Sequence, residues 1–346
     1  MKVLEISLKK IKEARERIKG SVNKTPCIYS LPLSRIIKKD VFLKLENLQL
    51  TQAFKARGNA NKIALLSKRE KESGVITASS GNHGQGLSLA ALRAGIKAVI
   101  ILPEVAPKNK IEKIKENKAE VIIKGKTYDD ACDYAHSLSE KRGYTYIQSF
   151  DDLDIIAGNG SIGLEILEEV PQTQMIICPI GGGGGISGVA LATKQIKPNI
   201  KIVGVEAERS ASMFESIKLG KIIELSSANT FADGIAVRKP GKINFEIVKK
   251  YVDDIITVSE EEMKSAIFTL AKEAKIIAEG AGASSVAALL SKKVPIKDIS
   301  NIVCIITGGN IDMTLFRSIL EDTNGNFLIK KRKESSLGSG YRLEVN

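Results

Sequence analysis

From about residue 75 the chain repeats one pattern: a short apolar run, an amphipathic stretch, then another apolar run. The series reads "VITAS", "NHGQGLSLAALRAG", "KAVIILP", "PKNKIEKIKEN", "AEVIIK", "TYDDACDYAHSLSEKRG" and "YTYIQS". The apolar runs have strand length, and the stretches between them have helix length and helical periodicity. Parallel strands need long crossovers, so such alternation predicts a parallel sheet covered by helices. A second series follows with "TQMIICPI", "GISGVALATKQI" and "KIVGVEA". After an irregular stretch containing "FADGIAVRKPGK" come "DIITV", "SEEEMKSAIFTLAKEA", "GAGASSVAALLSKK" and "NIVCIIT". Two α/β units are therefore predicted, joined near "SFDDLDIIAG" at 149–158.

Two units also suit the length of 346 residues, because single cores seldom grow beyond roughly 250 residues. The net charge of +12 favours anionic ligands. The lysines are spread along the chain, and the densest cluster, "PKNKIEKIKENK", reads as a charged helix face with few aromatics to stack bases. No nucleic-acid partner is expected. Cys27, Cys132, Cys178 and Cys304 form no CxxC pair and no paired spacing with His83 or His136, which argues against zinc. The start "MKVLEISLKKIKEARERIKG" is a charged amphipathic helix pattern, not a secretory segment. No apolar stretch reaches the roughly 20 residues needed to span a bilayer, so no membrane partner is expected and the cytoplasm is the expected location.

Three strand ends run into small polar loops, and ligands of α/β proteins bind at such carboxyl edges. In "MIICPIGGGGGISGVALA" a strand meets five glycines and then a helix. Glycines let the backbone approach a ligand, and the helix start offers unpaired N–H groups to an anion, so a phosphate site fits better than a flexible loop. The spacing is not that of a nucleotide P-loop, and Glu206 alone keeps a dinucleotide alternative open. In "ITASSGNHGQG" the residues Ser79, Ser80 and Asn82 suit helix capping, and the same helix start could bind a carboxylate. The third end is "CIITGGN", with Thr307 followed by two glycines and Asn310.

Taken in order, these motifs resemble the pyridoxal-phosphate enzymes of fold type II, and within them the threonine/serine dehydratases and serine racemases. The resemblance runs from about Thr25 to about Asn310 and rests on "AFKARGN", "SSGNHGQG", "GGGG", "TFADGIAVRKPG", "AEGAGA" and "TGGNID". It implies two parallel-sheet α/β domains of the tryptophan synthase β type, with the cofactor between them. The large cofactor domain would take residues 1–51 and 150–320, the small substrate-loop domain 52–149, and a C-terminal tail 321–346.

By the same resemblance Lys55 forms the Schiff base with pyridoxal 5′-phosphate, and Phe54 lies against its ring. Gly181, Gly182, Gly183 and Gly184 hold the phosphate, Asn82 bonds the 3′-oxygen and Thr307 meets the pyridine nitrogen. Ser79, Ser80 and His83 line the substrate carboxylate pocket, and Ser80 is the candidate second proton carrier on the face opposite Lys55. The residue before Phe54 is Ala53 where the relatives usually carry serine. Glu206 matches a cation ligand of metal-dependent relatives, but Ser212 stands where a second acid would be, so a divalent cation stays open. Glu279 and Asp233, acids beside glycines, are assigned no chemical step. The implied reaction is β-elimination of L-threonine and L-serine to 2-oxobutanoate or pyruvate plus ammonia, by a homo-oligomer acting on a small amino-acid substrate. The alternatives are a serine racemase, a β-replacing synthase and, outside enzymes, a binder of a phosphorylated metabolite.

Overall fold

The computed structural model describes residues 6–322, apart from 80, 105 and 107 and the side chains of 108–110. Among them, ten strands follow in chain order: β1 (Cys27–Tyr29), β2 (Asp40–Leu45), β3 (Val75–Ala78), β4 (Ala98–Leu102), β5 (Glu120–Ile123), β6 (Thr145–Tyr146), β7 (Met175–Pro179), β8 (Lys201–Ala207), β9 (Asp254–Val258) and β10 (Asn301–Ile306). They form two sheets. The larger runs β1-β2-β10-β7-β8-β9 and the smaller β5-β4-β3-β6. Every pairing is parallel except the edge pair β1–β2. β3, β4 and β7 are buried at every position, which is why they read as continuous rather than alternating apolar runs.

The strand orders place the site. In the large sheet the chain steps outward from β7 through β8 to β9, then returns to lay β10 on the other side of β7. In the small sheet it steps from β3 through β4 to β5 and returns to lay β6 beside β3. Each reversal opens a crevice at the carboxyl ends of the two central strands. The crevices are lined by the segments after β7 and β10 in one sheet and after β3 and β6 in the other.

Three stretches differ from the sequence expectation. The joint expected at 149–158 is half occupied by the helix Leu153–Glu169, capped by Asp152 through bonds to Asp154 N and Ile155 N. Its three glycines and Asn159 look like loop residues, but every residue from Ile155 to Ile166 is buried, and packing outweighs propensity. The helix expected over "SEEEMKSAIFTLAKEA" ends in a π-helical turn at Leu270–Ala274. The last strand of the small sheet keeps two residues of "YTYIQS". Beyond Asn310 a helix covers Met313–Asp322, and the remainder of the tail lies outside the described residues.

Candidate active site

Lys55 opens the helix Lys55–Leu65. The segment before it is stitched to the end of β10: Phe54 N donates to Thr307 O at 3.0 Å, and Ala53 pairs with Gly308 in an antiparallel bridge. The Lys55 Nζ donates to Ser149 O at 2.9 Å, just past β6, and lies 5.2 Å from the centre of the Phe54 ring. Burial lowers its pKa to about 8. An amine so placed is about one-tenth neutral at pH 7, against far less for an ordinary lysine, and can act as a nucleophile.

The glycine turn after β7 closes on the same place. Gly183 has a φ of +100°, and a Cβ there would lie 2.7 Å from the Asn244 Cβ. A Cβ on Gly182 would meet the Phe150 ring at 2.4 Å, and one on Gly185 would meet the Phe54 ring at 3.1 Å. Side chains are excluded by packing, and the turn leads directly into the helix Gly184–Lys194, whose first N–H groups lack intrahelical partners. A lysine amine, a glycine-lined helix start and the Thr307 loop fit the aldehyde, phosphate and ring of pyridoxal phosphate. The family model for pyridoxal-phosphate dependent enzymes matches residues 18–308. The chain belongs to this family.

Individual relatives agree. The chain is 45% identical over 315 residues to the L-threonine ammonia-lyase of Thermotoga maritima, covering 91% of this chain and 78% of that one. Its fold matches maize serine racemase with a TM-score of 0.87 at 35% identity, covering 92% and 98% of the two chains. It also matches the processed threonine deaminase isoform 2 of Solanum lycopersicum, with a TM-score of 0.85, 36% identity, and coverage of 90% and 87%. The α/β fold with two parallel-dominated sheets is that of these enzymes.

Within this pyridoxal-phosphate dependent enzyme, the substrate-loop residues have mixed positions. Ser79 accepts from Gly81 N at 3.3 Å and Gly84 N at 3.1 Å, leaving its hydroxyl proton free to donate. Ser80 lies outside the described residues. The Asn82 amide bridges two loops of the large sheet, donating to Glu279 Oε1 at 2.7 Å and accepting from Asn310 Nδ2 at 2.8 Å. One amide proton remains for a ligand.

The fold holds His83 at both ring nitrogens. Its Nδ1 is 3.3 Å from Asn59 Nδ2, which also donates to Lys55 O, and its Nε2 is 3.2 Å from Thr77 Oγ1. Because Asn59 Nδ2 can only donate, Nδ1 accepts and the proton sits on Nε2. Burial, and secondarily Lys55, lowers the His83 pKa to about 3. Both ring nitrogens are taken up by hydrogen bonds within the fold, which holds the neutral ring as a support beneath Lys55.

Glu206 also has another occupation. Buried at the end of β8, it accepts from Met213 N at 3.0 Å and Phe214 N at 2.7 Å, at the start of the helix Ser212–Leu219. Burial raises its pKa to about 8. Among the described residues no group of three His, Cys, Asp or Glu side chains could hold a metal ion.

Two residues given no role from sequence belong to the site. The Glu279 N–H donates to Gly308 O, and a Cβ on Gly308 would lie 2.4 Å from Glu279 Oε1, so this carboxylate lies against both Asn82 and the β10 loop. Arg57, fully buried, binds Glu46 through Nε (2.8 Å) and Nη2 (2.9 Å), and Glu165 through Nη1 (2.7 Å) and Nη2 (2.8 Å). Buried Lys44 joins this network through Glu165 at 2.7 Å and reaches Glu169 at 3.6 Å. An arginine inside "AFKARGN" was visible in the sequence; its partners were not.

Proposed function

We propose that this chain is an L-threonine ammonia-lyase that also accepts L-serine, releasing 2-oxobutanoate or pyruvate together with ammonia. The observation that carries this reading is the 45% identity over 91% of the chain to an L-threonine ammonia-lyase. The site geometry supports it. When bound, pyridoxal phosphate acidifies the proton on the substrate α-carbon. Lys55 anchors the cofactor aldehyde, and its amine, with a pKa near 8, takes up the α-proton at Nζ. Gly181, Gly182, Gly183 and Gly184 would hold the phosphate through backbone N–H groups, Phe54 would flank the ring, and Asn82 would offer its remaining amide proton to the 3′-oxygen. Ser79, together with the helix start at Asn82, holds the substrate carboxylate. Thr307 would offer the pyridine nitrogen a neutral hydroxyl rather than a carboxylate.

Racemisation is the second reading, supported by the 35% identity to maize serine racemase across almost the whole of both chains. Incubation of the holoenzyme with L-threonine, L-serine and D-serine separates the two. The expected result is 2-oxobutanoate and ammonia from L-threonine as the fastest products. D-Serine accumulating from L-serine faster than pyruvate would overturn the lyase assignment.

No cation is assigned to Glu206, which caps a helix through both carboxylate oxygens and has no cluster of further candidate ligands beside it among the described residues. Turnover unchanged by a chelator is the expected check. A homo-oligomer fits the exposed apolar residues Ile28, Tyr29 and Leu31 at the β1 edge of the large sheet, and light scattering measures it. Four unpaired cysteines suit a reducing cytoplasm; no helix among the described residues is long and apolar enough to cross a membrane.

A further inference from the structure

The start of the Lys55 helix and the glycine turn are joined through a third element, the helix Leu153–Glu169. Asn159 on that helix is 1% exposed. Its Oδ1 accepts from Gly58 N at 3.1 Å, in the first turn of the Lys55 helix. Its Nδ2 donates to Gly184 O at 3.2 Å, at the end of the glycine turn. The first bond replaces an ordinary helical one: the Phe54 carbonyl accepts from Arg57 N at 3.0 Å, and the Gly58 N–H goes to Asn159 instead.

The backbones around this amide are as close as glycine allows. A Cβ on Gly58 would lie 2.9 Å from Asn159 Oδ1, and one on Gly158 would lie 2.9 Å from the Gly58 Cα. On the other side, a Cβ on Gly188 would lie 2.5 Å from Ile156 O and 2.6 Å from Gly160 N. Three helices thus meet around one side chain that is bonded at both ends. Apolar packing alone would hold them together without fixing their register, because it has no direction. Hydrogen bonds to two backbone groups have direction and a narrow range of length.

We propose that Asn159 is a positioning residue that sets the distance between Lys55 and the glycine turn, and hence between the aldehyde and phosphate ends of the cofactor site. The proposal rests on the roles proposed above for Lys55 and the glycine turn. The spacing matters because a displacement of about 1 Å at a reacting group can cost about a hundredfold in rate.

The test is cofactor binding by the apoprotein, read by absorbance of the bound chromophore rather than by turnover. Asn159→Ala and the milder Asn159→Ser are compared with Thr173→Val, a control that loses a buried hydroxyl whose bond to Val170 O is local. The expected result is a Kd for pyridoxal phosphate raised about tenfold or more in the Asn159 variants, the scale of losing two neutral hydrogen bonds, with a displaced absorption band. Thr173→Val is expected to lose thermal stability and bind as the wild type does. Asn159 variants with wild-type Kd and band would overturn the proposal, and so would failure of both variants to fold, which would assign Asn159 to the fold alone. Borohydride reduction of the wild-type holoenzyme, followed by peptide mass analysis, tests the Lys55 role separately: a label on another lysine would defeat that role, whatever Asn159 does.

Discussion

The two helices that start at the cleft are held in opposite ways. The Lys55 helix is tied to the large sheet by backbone bonds at Phe54 and Ala53 and by the buried charges around Arg57. The helix Asn82–Arg93, which follows the substrate loop, reaches the large sheet through side chains, Asn82 to Glu279 and Asn310 to Asn82, and the next helix, Lys108–Glu116, adds Lys113 Nζ to Asn310 Oδ1 at 2.9 Å. The difference teaches where rigidity is placed. A buried ion network is weak evidence for stability, because apolar replacements often do as well, but a guanidinium gripped by two carboxylates fixes orientation in a way apolar contact does not. The group proposed for the covalent chemistry stands on that network, and the group proposed to meet the substrate stands on a few part-buried side-chain bonds.

Four experiments break or sharpen this contrast. The largest effect is expected from Lys55→Ala, with threonine deamination falling about a thousandfold or more; ordinary deamination by that variant would sink the assignment. Its fold should not suffer. The folded-state pKa of Lys55, about 8, lies below the ordinary 10.5, so the folded chain binds fewer protons between these values. Wild-type stability should therefore rise with pH across that window, and the variant should lack that rise, as melting curves against pH would show.

Next comes Arg57→Met, which leaves Glu46 and Glu165 buried with Lys44 as their nearest cation. A loss of about 3–5 kcal/mol is expected from urea unfolding. A loss under about 1 kcal/mol, the scale of an exposed pair, would mean that the network anchors nothing. In the wild type burial pushes the Glu46 pKa up, but Arg57, helped by Lys44 and Thr25, more than offsets this and holds it below its usual 4.5. Its contribution is present above the unfolded value and lost as pH falls through the depressed one, so the variant should unfold at a higher pH than the wild type.

A smaller effect concerns the apoprotein. Only the neutral Lys55 amine attacks an aldehyde, so the rate of pyridoxal-phosphate capture should rise about tenfold per pH unit and level off near pH 8. A flat rate from pH 6 to 9, followed by stopped-flow absorbance, would contradict the burial of the amine. Smallest is Asn310→Ala, which removes one bond to Asn82 at a cost of about 1 kcal/mol. Hydrogen exchange should quicken in the helix Asn82–Arg93 and stay unchanged in Lys55–Leu65. Equal quickening in both would erase the contrast between the two helix starts.

How far the site was legible follows from what each residue needs. Lys55 and the glycine turn announce themselves locally, one by chemistry and the other by composition. His83 sits in the motif expected to line the substrate pocket, and its ring nitrogens meet Thr77, six residues earlier, and Asn59, which only the packing of the Lys55 helix brings near. Glu206 matched a cation ligand in position but caps a helix that starts six residues later.

By itself the sequence determined the α/β class, the strand and helix alternation from residue 75 onward and the chemical character of the loops, because periodicity and glycine content act over a few residues. The tertiary structure alone decided which strand lies beside which, and with it that the ends of β7 and β10 share one crevice. It also decided the pairings of Arg57 with Glu165, 108 residues away, and of Asn82 with Glu279, 197 residues away. No local pattern encodes such pairs, since a buried charge or amide is satisfied by whichever partner the packed layers bring within about 3 Å.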